Sequence, residues 1–331
     1  MAERTTIPIP KIIASGIGDE SKPLPTFIIL EYVEGMNLGD VRLSRFAAGS
    51  KEQFYESLAD IYVQLRRLEF SSIGCLNDKP DPTMEGSAKL IFNFQIHGLD
   101  RRGQDPGKIV NKYITSGAAI QSAADYTNMM LDIADEGTKE KLEKIRLGKI
   151  PSQDKQHREM LRENALQDIE RVRAFKERAL GWLKPELDKG PFVLVHGDLI
   201  PSNIILDETA KIVALIDWEW SAVVPVQCFA PPLWLKHEQR MMAEPQHYAT
   251  AIEEYDAFLD VVRSREKVLF PSDQVSLADE WEVAKPNGGF FIPHALDDWY
   301  LASFYRHNKP RPLNEKGKQV ESVPEVDTEP Q

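Results

Sequence analysis

The stretch Phe192–Trp220, FVLVHGDLIPSNIILDETAKIVALIDWEW, limits what this chain can fold into more than any other. It holds three short apolar runs: Phe192–Val195, Ile204–Leu206 and Ile212–Ile216. Each is the length of a buried strand and too short for a helix. The interruptions are polar. His196-Gly197-Asp198 follows the first run, Asp207-Glu208-Thr209-Ala210 separates the other two, and Asp217 ends the third. The expected order is strand, loop, strand, turn, strand. Asp198, Asn203 and Asp217 then fall at strand ends and loops, where a rigid scaffold presents side chains to a ligand.

The spacing has a chemical meaning. Asp198 and Asn203 stand in the pattern H-G-D-x-x-x-x-N. Kinase catalytic loops use H-R-D-x-x-x-x-N, where the Asp accepts the proton of the attacking hydroxyl and the Asn holds Mg²⁺. Asp217, on the following hairpin, is placed to be a carboxylate ligand of the same ion. Mg²⁺ takes hard oxygen ligands and keeps several waters, so one Asp, one Asn and the substrate phosphates suffice. Singly, each residue has a plainer role: an Asp after a strand makes a turn, and a lone His fills a core. Together, on this strand pattern, they point to phosphoryl transfer.

HGDLIPSN followed by ALIDWEW resembles the aminoglycoside phosphotransferase and choline kinase-like family, which has a protein-kinase-like fold. The resemblance implies an α+β fold made mainly of the helical C-terminal lobe. It also implies Asp198 as catalytic base, Asn203 and Asp217 as Mg²⁺ ligands, and His196 as a structural histidine. ATP would be the co-substrate and a small-molecule hydroxyl the acceptor. Ile200 departs from the family pattern, where many relatives have His, but the carboxylates and the amide are intact.

Near the N-terminus, Ile7-Pro8-Ile9-Pro10 excludes a helix. A strand near Lys11–Ser15 and a stronger one over Thr26–Val33 flank a polar turn, which predicts a hairpin. FIILEYVEG resembles the kinase hinge, whose backbone pairs with adenine, and this implies Leu30, Glu31 and Val33 at the adenine edge. From the residues alone the stretch is a buried strand and its exit. Gly16 and Gly18 lack the G-x-G-x-x-G spacing of a nucleotide loop. No Gly-rich loop or phosphate-pairing lysine stands ahead of the hairpin, and Lys11 and Lys22 are wrongly placed for that role. The expectation is therefore a remnant N-terminal lobe at 1–33, a phosphotransferase C-lobe at 34–311 and a disordered acidic tail at 312–331. It leaves a rival to the kinase: a non-catalytic, pseudokinase-like protein that binds a ligand or partner. A metal-dependent hydrolase is weaker, because no second metal cluster or nucleophile motif accompanies these carboxylates.

Helices account for much of the rest. Phe54, Leu58, Ile61, Leu65 and Leu68 make one apolar stripe over Ser50–Phe70, with Ser50 and Gln53 as an expected capping box. Tyr126, Met129, Met130 and Ile133 mark a second helix. Arg158–Leu183, His247–Val262 and Phe290–Tyr305 are three more; Asp297 and Asp298 on the last are expected to be exposed helix-face charges, while the family resemblance offers the alternative that they line a pocket for a cationic substrate. Asn77–Gly107 is expected to be irregular.

A net charge of −12 argues against a general nucleic-acid or anionic-membrane surface. Cys75 and Cys228 are too few for a disulfide framework or a zinc cluster. With no apolar leader and no membrane-length apolar run, the expected location is cytoplasmic.

Overall fold

The computed structural model describes residues 4–18, 26–42, 47, 49–76, 96–97, 105, 107–114, 119–235 and 245–298, with the side chains of 245–253 and 287 left aside. Strands β1 (Ile12–Gly16) and β2 (Phe27–Leu30) form the expected antiparallel hairpin, with Gly16 opposite Phe27 and an irregularity between Ile12 and Ala14. The expectation of a buried strand fails here. Phe27–Leu30 is exposed along its length, and Tyr32 beyond it is 87% exposed.

The hairpin is fastened by the chain on either side of it. Before it, Ile7 is buried, Thr6 N–H donates to Gln64 Oε1 at 2.7 Å, and Leu215 N–H donates to the Pro8 carbonyl at 2.8 Å. After it, β3 (Met36–Asn37) joins a second sheet.

Helix α1 (Ser50–Arg66) buries Phe54, Leu58, Ile61 and Leu65, as its stripe predicts. The capping box does not form. Gly49 is the cap, with φ 89°, and its carbonyl accepts from Gln53 N–H at 3.2 Å, while Ser50 is already helical. The helix also stops short of Phe70. Glu69–Phe70 become β4, paired with Val193 and Phe192, so tertiary pairing overrides the continuing apolar period.

A short α2 (Gly107–Val110) precedes α3 (Ala123–Arg146), which buries Tyr126, Met129, Met130 and Ile133. Ser122 caps α3 through Asp125 N–H. Helix α4 (Lys155–Trp182) packs against α3, with Ala165, Val172, Phe175 and Ala179 inward. Its predicted stripe residues Leu161, Ile169 and Leu180 are only half-buried.

The strands β5 (Phe192–Val195), β6 (Ile204–Leu206) and β7 (Ile212–Leu215) lie where the apolar runs placed them. A further strand, β8 (Ala222–Pro225), pairs with β5 from Phe192↔Pro225 to Val195↔Ala222. The two three-stranded sheets are ordered β3-β6-β7 and β4-β5-β8. Val193, Leu194, Ile204, Leu206 and Leu215 are fully buried between the helices.

Helix α5 (Pro245–Leu269) packs on α1, and α6 (Leu277–Ala284) and α7 (Ile292–Asp297) follow. Glu266 is buried and accepts from Leu277 N–H at 2.6 Å at the start of α6, where a carboxylate is favoured by the helix dipole. Most of the Asn77–Gly107 expectation, the end of the Phe290–Tyr305 helix and the 312–331 tail lie outside the described residues. Among the described residues no helix is long and apolar enough to cross a membrane.

Candidate active site

The loop between β5 and β6 is built around hydrogen bonds that follow from its sequence. His196 is buried, and Asp198 N–H donates to its Nδ1 at 3.3 Å. That leaves the proton on Nε2, which donates to the Ile216 carbonyl at 2.9 Å. The ring also packs on Trp218, with centroids 4.4 Å apart. Burial pushes the imidazole down to about 4, against the opposing pull of the Ile216 carbonyl and the Asp217 charge. His196 is therefore neutral at pH 7 and acts as a strut between β5 and the end of β7.

Gly197 is required at its position. Its φ is +80°, and a Cβ there would lie 1.9 Å from the Trp220 carbonyl oxygen. This close approach brings the loop against the turn that carries Asp217.

Asp198 and Asn203 are in direct contact. Asn203 Nδ2 donates to the Asp198 carboxylate at 3.0 Å and to the Asp198 carbonyl at 2.8 Å. Burial raises the Asp198 carboxyl above the usual range; the Asn203 hydrogen bond lowers it, and the nearby Asp217 charge raises it further. Asn203 is buried, so its amide nitrogen is committed and Oδ1 is the atom left for a hard cation. The loop closes through a single 3₁₀ turn, Pro201–Asn203, with Asn203 N–H donating to the Ile200 carbonyl at 3.0 Å.

Asp217 follows β7 in a left-handed conformation, φ 61° and ψ 55°. Few residue types other than Gly accept this region, and Asp is one of them. The carboxylate is exposed at the start of the 3₁₀ turn Trp218–Trp220. Ile216 N–H donates to the Asn203 carbonyl at 3.0 Å, which fixes the two segments against each other. Asp198, Asn203 and Asp217 thus come together, each carried by the end of a buried strand.

A cation fits this set by its chemistry. The donors are hard oxygens from one amide and one or two carboxylates, and a charged phosphate chain would supply the rest. Among the described residues no group of three or more His, Cys, Asp and Glu side chains is arranged to hold an ion alone.

The three residues expected at an adenine edge, Leu30, Glu31 and Val33, lie at the end of β2 and just beyond it. Leu30 pairs with Ile12, and Glu31 N–H donates to the Lys11 carbonyl at 2.8 Å. Val33 is half-buried. Two supports of the loop lie far from it in sequence and carry no local spacing signal. Asn37 Nδ2 donates to the Ser202 carbonyl at 2.6 Å, and Trp234 Nε1 donates to the Leu199 carbonyl at 2.6 Å. Asp297 closes α7 and is exposed, while Asp298 follows it in extended backbone, half-buried, so only the first of the pair lies on the helix.

The model of the phosphotransferase enzyme family matches residues 1–228, which takes in the hairpin, the Asp198–Asn203 loop and Asp217. The chain belongs to this family. Its fold is accordingly the protein-kinase-like α+β fold, seen mainly in its helical lobe. Curated proteins yield no match. Solved structures similar to the chain include the GDP complex of an aminoglycoside 2'-phosphotransferase-IIIa variant, at 13% identity, with 92% of this chain covering 77% of that one and a TM-score of 0.38. ADP-bound aminoglycoside phosphotransferase APH(2'')-Ib is 15% identical, with coverages of 91% and 78% and a TM-score of 0.37. The gentamicin complex of APH(2'')-IIa is 13% identical, with coverages of 91% and 77% and a TM-score of 0.38.

Proposed function

We propose that this member of the phosphotransferase enzyme family catalyses transfer of the γ-phosphoryl group of ATP, with Mg²⁺, to the hydroxyl of a small molecule in the cytoplasm. The observation that carries the proposal is the Asp198–Asn203 contact at 3.0 Å, with the charge of Asp217 beside it. This is the donor arrangement that phosphoryl transfer needs, where catalysis is mostly positioning and charge stabilisation.

Asp198 orients the acceptor hydroxyl and takes its proton as the oxygen attacks phosphorus. Its carboxyl, raised by burial, is a better proton acceptor than an ordinary Asp. Asn203 Oδ1 and Asp217 would hold Mg²⁺, which when bound neutralises charge building on the phosphate oxygens. Asn203 has a second duty: its Nδ2 holds the Asp198 carboxylate in one orientation. Val33, beside Leu30 and Glu31, lines the adenine edge. The Glu31 N–H is taken by Lys11, so pairing of a backbone N–H with adenine falls to Val33.

The test is turnover of Mg²⁺–ATP with a panel of hydroxyl acceptors by wild type and Asp198→Asn. We expect the variant to lose at least about a hundredfold, the low end of general-base contributions. Equal turnover in the two proteins would remove Asp198 from the chemistry. Absence of calorimetric heat for wild type at millimolar Mg²⁺–ATP would replace the kinase with the non-catalytic binder.

A further inference from the structure

The peptide group that leads into Asn203 is held at both ends. Its N–H, on Asn203, donates to the Ile200 carbonyl at 3.0 Å. Its carbonyl, on Ser202, accepts from Asn37 Nδ2 at 2.6 Å. Without the second bond the peptide plane is free to rotate about its flanking Cα atoms, because only one hydrogen bond resists the turn. Such a rotation would swing the Asn203 side chain.

Asn37 is itself held. Its Oδ1 accepts from Gly39 N–H at 2.8 Å, which fixes the amide so that Nδ2 faces Ser202. Its backbone is fixed by pairing with Ile205, while Met36 pairs with Leu206 and Leu38 N–H donates to the Ile204 carbonyl at 2.9 Å. Asn37 also stands a few residues beyond Leu30, Glu31 and Val33, on the same run of chain.

We propose that Asn37 is a positioning residue for the catalytic loop. Its side-chain amide locks the Ser202–Asn203 peptide, so that Asn203 Nδ2 holds Asp198 and Oδ1 is left as the atom that would hold Mg²⁺. It thereby ties the hinge exit to the metal site. The inference rests on the proposed roles of Asn203 and Asp198, and it deepens them.

Two variants separate the contacts. Asn37→Ala loses both. Asn37→Asp keeps the acceptor for Gly39 N–H but sets a carboxylate against the Ser202 carbonyl, so the donation is lost. In ligand-free protein, amide hydrogen exchange over Ile200–Asn203 should quicken roughly five- to tenfold in both, the effect of losing one hydrogen bond of ordinary net strength. The Mg²⁺ concentration for half-maximal turnover should rise by a similar factor in both, with kcat at saturating Mg²⁺ changed by less than about threefold, since Asp198 itself remains. Mn²⁺, as a spectroscopic probe of the bare site, should bind correspondingly more weakly.

Unchanged exchange in both variants would overturn the proposal. So would an Asn37→Asp protein that behaves as wild type, because then only the Gly39 contact matters. Faster exchange with unchanged Mg²⁺ and Mn²⁺ dependence would overturn the link to the metal. Failure of the underlying kinase proposal would show elsewhere, as equal turnover by wild type and Asp198→Asn, while the exchange measurement needs no substrate.

Discussion

Replacing Gly197 with Ala tests the close approach on which the site is built. The added Cβ meets the Trp220 oxygen at 1.9 Å and the Trp220 carbonyl carbon at 2.6 Å, both backbone atoms that no side-chain rotation can clear. Real Cβ contacts begin near 3.0 Å, so the loop and the Trp218–Trp220 turn must part by about 1 Å. The left-handed φ of +80° adds about 1–2 kcal/mol for any residue with a Cβ. Together with about 1–3 kcal/mol for the forced backbone shift, the loss of stability should be about 2–5 kcal/mol. A displacement of about 1 Å at Asp198, the next residue, should cost about a hundredfold in rate. Gly148→Ala is the control, because Gly148 also has a positive φ, +68°, with no atom within 4 Å of the added Cβ. It should lose only about 1 kcal/mol and no activity. Urea unfolding and phosphoryl-transfer rates on the two variants give both quantities. A Gly197→Ala protein no less stable than Gly148→Ala, with wild-type rates, would refute the close-contact account.

Other outcomes follow from the charges. The Asp198 carboxyl is raised in the folded state, so its ionisation costs stability as pH climbs through that raised value; Asp198→Asn should therefore be inactive yet more resistant to denaturant at pH 7, an advantage that vanishes below the ordinary carboxylate range. The His196 imidazole is pushed down to about 4 from an ordinary 6.5, so the unfolded chain binds the extra proton first. Wild type should lose up to about 3 kcal/mol through this group between pH 7 and 4, and urea titrations of His196→Gln should lack that part of the slope. Arg66, whose guanidinium is 4% exposed, makes two 2.7 Å bonds to Glu280 and one to Glu69. Arg66→Ala should cost about 2–3 kcal/mol in thermal or urea unfolding, less than a fully buried pair because both acids reach water.

The Phe192–Trp220 segment was legible because its signals are local. Strand, loop and ligand spacing in Phe192–Trp220 depend on neighbours a few residues away, and β5, β6 and β7 fall where the apolar runs placed them. The elements that sequence misses are those that exist only through a distant partner. Met36–Asn37 and Glu69–Phe70 are two-residue strands whose sole reason to be extended is a ladder to β6 and β5. Ala222–Pro225 hid in a proline-rich run because its pairing with Phe192–Val195, not its composition, makes it a strand. Helix α6 was unseen, although Ser276 caps it through Asp279 N–H. Ser50 and Gln53 show the reverse error, a capping motif set aside because Gly49 turns the chain in a different way. Asn37 had no signal at all, since the carbonyl it holds belongs to Ser202 across the whole lobe.

The hairpin β1–β2 is moored at both feet to the same ribbon. One foot is Pro8, bonded to Leu215 on β7, and the other is Met36–Leu38, bonded to β6 and its edge. A loop pinned at two points on one rigid base can rock about the line that joins them, but it cannot slide along the base or twist out of register with it. Movement of the hairpin against this base is thereby reduced to a single tilt, and that tilt pivots on the strand pair that also carries Asn203.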